Sequence, residues 1–204
     1  MKNKKFIKDF VSKKDMEDGR KSCLIIALQN ARLLNRRETD TNSLCIEIAE
    51  KLNGLIDFNS FIGLVNYLII LDMIGVVFTD KKKVGERIEE VLQKFGDITC
   101  KEERKAIFGL RNCFAHNYGL VDDKEKIKFM LDDSCNKMII LPAAKWDGNY
   151  DKEDEFTRTI INPQILINKI EAIYEEVKKR VFEDYLSTNL TENELKSRFT
   201  IICE

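Results

Sequence analysis

Two residues in the stretch 104–119 have side chains suited to work on a phosphodiester: Arg111 and His116, the latter the only histidine in 204 residues. A guanidinium grips phosphate in a planar fork, and an imidazole exchanges protons near neutral pH. Together they fit phosphoryl chemistry that needs no metal. A bland alternative stands beside this. An arginine inside an apolar arc can simply snorkel, find a carboxylate or sit at an interface. A histidine in the last turn of a helix can simply bond the free carbonyls there.

The stretch itself reads as one helix. Thr99 and Glu102 have capping-box spacing, and Gly119 supplies a left-handed stop. Ile107, Leu110, Phe114 and Tyr118 form a core-facing stripe, with Lys105, Gly109, Asn112 and His116 opposite. Positions 111 and 116 lie about 140° apart on an ideal wheel, so one helix does not put them on a common face. Two copies packed about a two-fold axis, with Gly109 permitting close approach, would join them, because a symmetric dimer uses one patch twice.

Arg111-Asn112-Cys113-Phe114-Ala115-His116-Asn117-Tyr118 resembles the R-x-x-x-x-H(-x-Y) signature of HEPN (higher eukaryotes and prokaryotes nucleotide-binding) domains. The resemblance covers about eight residues. It implies a helical bundle that dimerises around a shared cleft. It also implies a metal-independent endoribonuclease of the toxin–antitoxin, phage-defence or RNA-processing kind. By the same resemblance Arg111 and His116 are catalytic, Asn112 positions and Tyr118 supports. The partners implied are RNA, a second copy of the chain and a nucleotidyltransferase-type antitoxin that modifies Tyr118. The position of Tyr118 on the apolar stripe favours a simple core role over modification. The alternative is a non-catalytic HEPN-like module that binds RNA, nucleotide or protein.

Composition sets bounds on these readings. A chain of 204 residues with 44% apolar and 34% charged residues suits one globular domain, here spanning 1–204. A net charge of −1 excludes a uniformly basic coat, so RNA contact must use local patches. The six cysteines show no zinc-ligand spacing, and no Gly-rich phosphate loop is present; no metal or cofactor is expected. The cysteines read as reduced thiols in a cytoplasmic protein, with Cys113 as core filler. The basic N-terminus lacks the apolar run of a secretion signal. Its Phe6, Ile7, Phe10 and Val11 suit a short docking helix.

The fold expected is mainly α: an up-and-down bundle of six or seven helices with a small β-hairpin or sheet inserted at about 125–162. A basic helix is predicted over 15–37, and its Arg20, Lys21, Arg32, Arg36 and Arg37 form either a phosphate flank or a solvated face. A second helix covers 44–57. The very apolar 58–78 reads as the central buried helix, ending near Met73 with a turn at Gly75, and not as a membrane span. Asp72 in it is either a partner for Arg111 or a surface residue. Lys81-Lys82-Lys83 opens a helix closed by Gly96, and attracts RNA or merely solvates the surface. Strands are predicted at 127–131 and 138–141, paired as a hairpin, with a third at 157–161. Trp146 and Tyr150 lie in the loop between, where Trp146 either stacks bases or caps the core. Asn162-Pro163 starts a long helix, and Thr191 with Glu194 caps a short final one.

Overall fold

A computed structural model of the chain describes residues 2–13, 15–16, 18–35, 61–117, 119–150 and 155–202. The expected helix over 44–57, with Arg36 and Arg37, lies outside the described residues. Among those described, the architecture is mainly helical: seven helices with two small sheets. In chain order the elements are α1 (Lys2–Phe10), β1 (Arg20–Ser22), α2 (Cys23–Leu34), α3 (Phe61–Phe78), α4 (Val84–Lys94) and α5 (Lys101–Asn117). Then come β2 (Val121–Asp122), β3 (Ile127–Leu131), β4 (Ile139–Ile140), β5 (Arg158–Ile161), α6 (Pro163–Phe182), α7 (Glu192–Phe199) and β6 (Thr200–Ile202).

The core is built on α3, whose Leu64, Tyr67, Leu68, Ile70, Leu71 and Ile74 are all buried. Helix α2 packs along it, α4 and α6 flank it, and α5 lies against α4. No helix among the described residues is long and apolar enough to cross a membrane. The expected turn at Gly75 does not occur, and α3 continues to Phe78. The glycine is used for contact instead, since a Cβ there would lie 2.9 Å from Arg87 Cβ on α4. Gly96 follows the same logic. A Cβ there would meet Ile173 Cδ1 at 2.8 Å, and the left-handed residue that ends the segment is Asp97, with φ 51°.

The helix expected from residue 15 begins only at Cys23. Ser22 is its N-cap, accepting from the Ile25 N–H at 3.4 Å while its hydroxyl donates to Phe10 O at 2.7 Å. Residues 20–22 instead form β1, paired antiparallel with β6. The described cations of this region carry partners. Arg20 pairs with Asp18 and Lys21 with Asp15, and Arg32 forms a fork on Glu171 of α6 at 2.9 and 2.7 Å.

The hairpin expected between 127–131 and 138–141 is also corrected. The sheet order is β2-β3-β5-β4, so β5 sits between the two strands, parallel to β3 and antiparallel to β4. Phe129, Ile139 and Ile161 face the core. Trp146 is buried: its indole N–H donates to Asn149 O at 3.1 Å and its ring meets Tyr150 edge-on. A ring so covered is not open to stack a base, and it packs beside Tyr150 apart from the main core cluster. Asn162 caps α6 by accepting from Ile165 N at 3.0 Å, with proline at the first helical position, and Thr191 with Glu194 completes a capping box on α7.

Candidate functional site: two flanks of one helix

Helix α5 starts one residue later than a Thr99 cap requires. Arg104 N bonds Cys100 O at 3.3 Å, so Cys100 takes the cap position, and its thiol donates to Glu102 Oε2 at 3.6 Å. A bond from the Glu102 backbone N–H, and then that thiol bond, hold the Glu102 carboxyl below its ordinary value. Thr99 contributes its carbonyl instead, accepting from Arg104 Nη1 at 2.7 Å. At the far end Gly119 N closes back on Cys113 O, six residues earlier, at 3.4 Å and so satisfies a terminal carbonyl. Ile107, Leu110 and Phe114 are buried as the stripe requires. Tyr118 lies outside the described residues.

Arg111 points from this stripe toward α3 and α4. Its Nη2 donates to Asp72 Oδ2 at 3.1 Å, while Arg87 Nη2 donates to Asp72 Oδ1 at 3.2 Å. One carboxylate therefore carries two guanidiniums, and the trio keeps a net positive charge. All three are part-buried, with side-chain exposures of 18% for Asp72, 16% for Arg87 and 21% for Arg111. The Nε of each arginine is buried without an acceptor. Arg87 was not singled out from sequence. On an ideal wheel it falls about 40° outside the apolar arc of Val84, Ile88 and Val91, so it lacks the anomaly that marks Arg111.

The opposite flank of α5 meets the four-stranded sheet. Gly109 is buried there, and a Cβ on it would come within 3.2 Å of Phe129 Cζ. The glycine expected to admit a second copy of the helix is thus covered by the chain's own β3. Further along, His116 is exposed and shares a cleft of about 470 Å³ with Asn112 and Cys113. Asp122, Asp123 and Lys124, from β2 and the turn after it, complete the wall. Asp122 Oδ1 accepts from the N–H groups of Lys124 and Glu125, both at 3.0 Å, and Asp123 accepts from the Tyr150 phenol. That bond raises the Tyr150 phenol above its ordinary pKa. At the base of the cleft the Cys113 thiol is pushed up to about 11, first by burial and then by the negative charge of Asp122. A thiol held neutral in this way is no nucleophile near pH 7.

Arg111 and His116 therefore project from different flanks of α5, and the intervening group is Asn112. Its Oδ1 accepts a long bond from Arg111 Nη1 at 3.4 Å, and the same residue lines the His116 cleft. Among the described residues no group of His, Cys, Asp and Glu has metal-site geometry. No protein-family model, no curated protein and no solved structure matches the chain.

Proposed function

We propose that the chain is a HEPN-like, metal-independent endoribonuclease whose composite site is shared by a homodimer of helical bundles. The observation that carries this is Asn112, which touches the Arg111 guanidinium on one side and lines the His116 cleft on the other. Arg111 holds the scissile phosphate and stabilises its developing charge. His116 accepts the proton of the ribose 2′-hydroxyl, and the imidazolium then protonates the leaving 5′-oxygen. The products are a 2′,3′-cyclic phosphate and a 5′-hydroxyl end, which restricts the substrate to RNA. Because the two side chains diverge within one chain, Arg111 of one protomer works with His116 of the other.

Subunit mixing tests this. Arg111→Ala and His116→Ala are each inactive alone, and a co-refolded mixture regains cleavage because the heterodimer rebuilds one complete site. Cleavage by wild type but by no mixture overturns the shared site. A wild type that leaves RNA intact overturns the nuclease reading.

The ion pair with Asp72 favours a second reading, in which Arg111 is fixed structurally and the domain binds RNA or a protein without cutting. Retention of RNA with no cleavage, together with a large stability loss in Arg111→Ala, selects it. On the toxin reading the protein acts in the cytoplasm, and Tyr118 is the target of a nucleotidyltransferase-type antitoxin. Co-expression with that enzyme is expected to add a nucleotide mass to Tyr118.

A further inference from the structure

We infer that Arg87 is a second phosphate-binding residue, gripping an RNA phosphate adjacent to the one held by Arg111, with Lys81, Lys82 and Lys83 extending the track. This rests on the ribonuclease reading and adds to it a path for the RNA backbone. Asp72 sets Arg87 and Arg111 on its two oxygens, so the guanidiniums are neighbours held by three rigid helices. One carboxylate neutralises only one of the two cations. Each guanidinium keeps N–H groups beyond those given to protein acceptors, and each side chain remains partly open to solvent. An excess positive charge with spare donors in fork geometry is the chemistry that selects a phosphate oxyanion.

The track has a direction. Arg87 Nη1 donates to Lys82 O at 2.9 Å, tying its guanidinium to the loop before α4. Lys81, Lys82 and Lys83 on that loop are exposed, and among the described residues only Lys83 of the three has an ion-pair partner, Glu86 at 3.5 Å. Gly75 fixes the geometry from beneath, because it lets the α4 backbone at Arg87 settle directly on α3. Cations therefore run from Arg111 through Arg87 to the lysine loop, with Lys81 also bordering a cleft that it shares with Glu86, Glu89 and Glu90. On the other flank of α5, Asp122 and Asp123 would repel a phosphate chain, so the backbone leaves the site on the Arg87 side.

The test uses a fluorescent single-stranded RNA 20-mer, its binding measured by anisotropy in the His116→Ala background and its cleavage by the otherwise wild-type enzyme. Arg87→Gln is expected to weaken binding about tenfold at low salt and to lower the salt slope by roughly 0.7, the share of one phosphate contact on a single strand. In cleavage it raises KM about tenfold and changes kcat less than threefold. Arg87→Lys keeps a cation beside Asp72 and the fold, and should restore the salt slope but only part of the affinity. Replacing Lys81, Lys82 and Lys83 together by Ser, all on the surface, should lower the slope by up to about 2. Unchanged binding and slope in folded Arg87→Gln and Arg87→Lys, with wild type still cutting RNA, overturns this inference and leaves the nuclease standing. Wild type that neither binds nor cuts RNA overturns both.

Discussion

One flank of α5 meets α3 and α4 through Arg111, Arg87 and Asp72, with three lysines just beyond. The other meets β2 and its turn through Asn112, His116, Asp122 and Asp123. The first has cations in excess and the second has carboxylates in excess, although both are faces of the same 17-residue helix. A phosphate is drawn to the first and repelled by the second. Proton transfer, in contrast, suits the second, where an exposed imidazole has room to meet a substrate hydroxyl. On the proposed ribonuclease reading, binding and proton movement are divided between the flanks, with Asn112 at the seam.

The division can be broken most severely at its two ends. Removing either Arg111 or His116 should cut RNA cleavage about a thousandfold, since charge stabilisation and proton transfer each contribute effects of that order. Initial rates on a defined RNA check this. Next comes Asp72→Ala, which leaves two adjacent guanidiniums facing each other without a counter-charge. Loss of one partner from a part-buried cluster costs about 3 kcal/mol, a fall in Tm of roughly 6–10 °C for a domain of this size. A melt unchanged within 2 °C would show that the carboxylate does not organise the cationic flank.

A smaller effect reads the acidic flank through Cys113. Its folded pKa of about 11 lies above the ordinary 9.0, so below pH 9 both folded and unfolded thiols are protonated and stability is unaffected. Between pH 9 and 11 the unfolded thiol ionises while the folded one does not, so stability falls as pH rises, by about 2–3 kcal/mol in all. Denaturant unfolding of wild type against Cys113→Ala isolates this share, and replacing Asp122 and Asp123 by Asn should narrow it. The same double replacement should tighten RNA binding about threefold at low salt, with the gain disappearing near 1 M salt. Least of all, adding RNA should leave the emission of buried Trp146 unchanged. A strong quench would mean that the sheet side receives bases after all.

Local chemistry explains which features could be read from the chain alone. Asn162-Pro163 and Thr191 with Glu194 start helices through bonds reaching three residues, so their pattern is visible in a short window. Asp72, an acid in a mostly apolar helix, stood out as either a partner for Arg111 or a surface residue, and the pairing is the one that occurs. What escaped detection depends on distant neighbours. β1 pairs with β6 across most of the sequence, and β5 inserts between two strands that precede it. Gly75 looked like a stop because a glycine that permits contact has the same letter as one that ends a helix. In the candidate site, the divergence of Arg111 from Asn112 and His116 was legible on the wheel, but not what each side chain meets. That depends on α4 and β2, whose placement no single-helix wheel contains.

Asn162 does more than begin α6. Its amide nitrogen donates to Asp133 O and Cys135 O at 3.0 and 2.6 Å, so one side chain pins the turn before β4 to the first turn of the long helix. The sheet and α6 are therefore fastened at a shared rivet and should open together. Amide hydrogen exchange in β3 and β5 is expected to track the slow exchange of α6. Replacing Asn162 by Asp, which keeps the helix cap and removes the two donors, should uncouple them. The sheet would then breathe on its own beside His116.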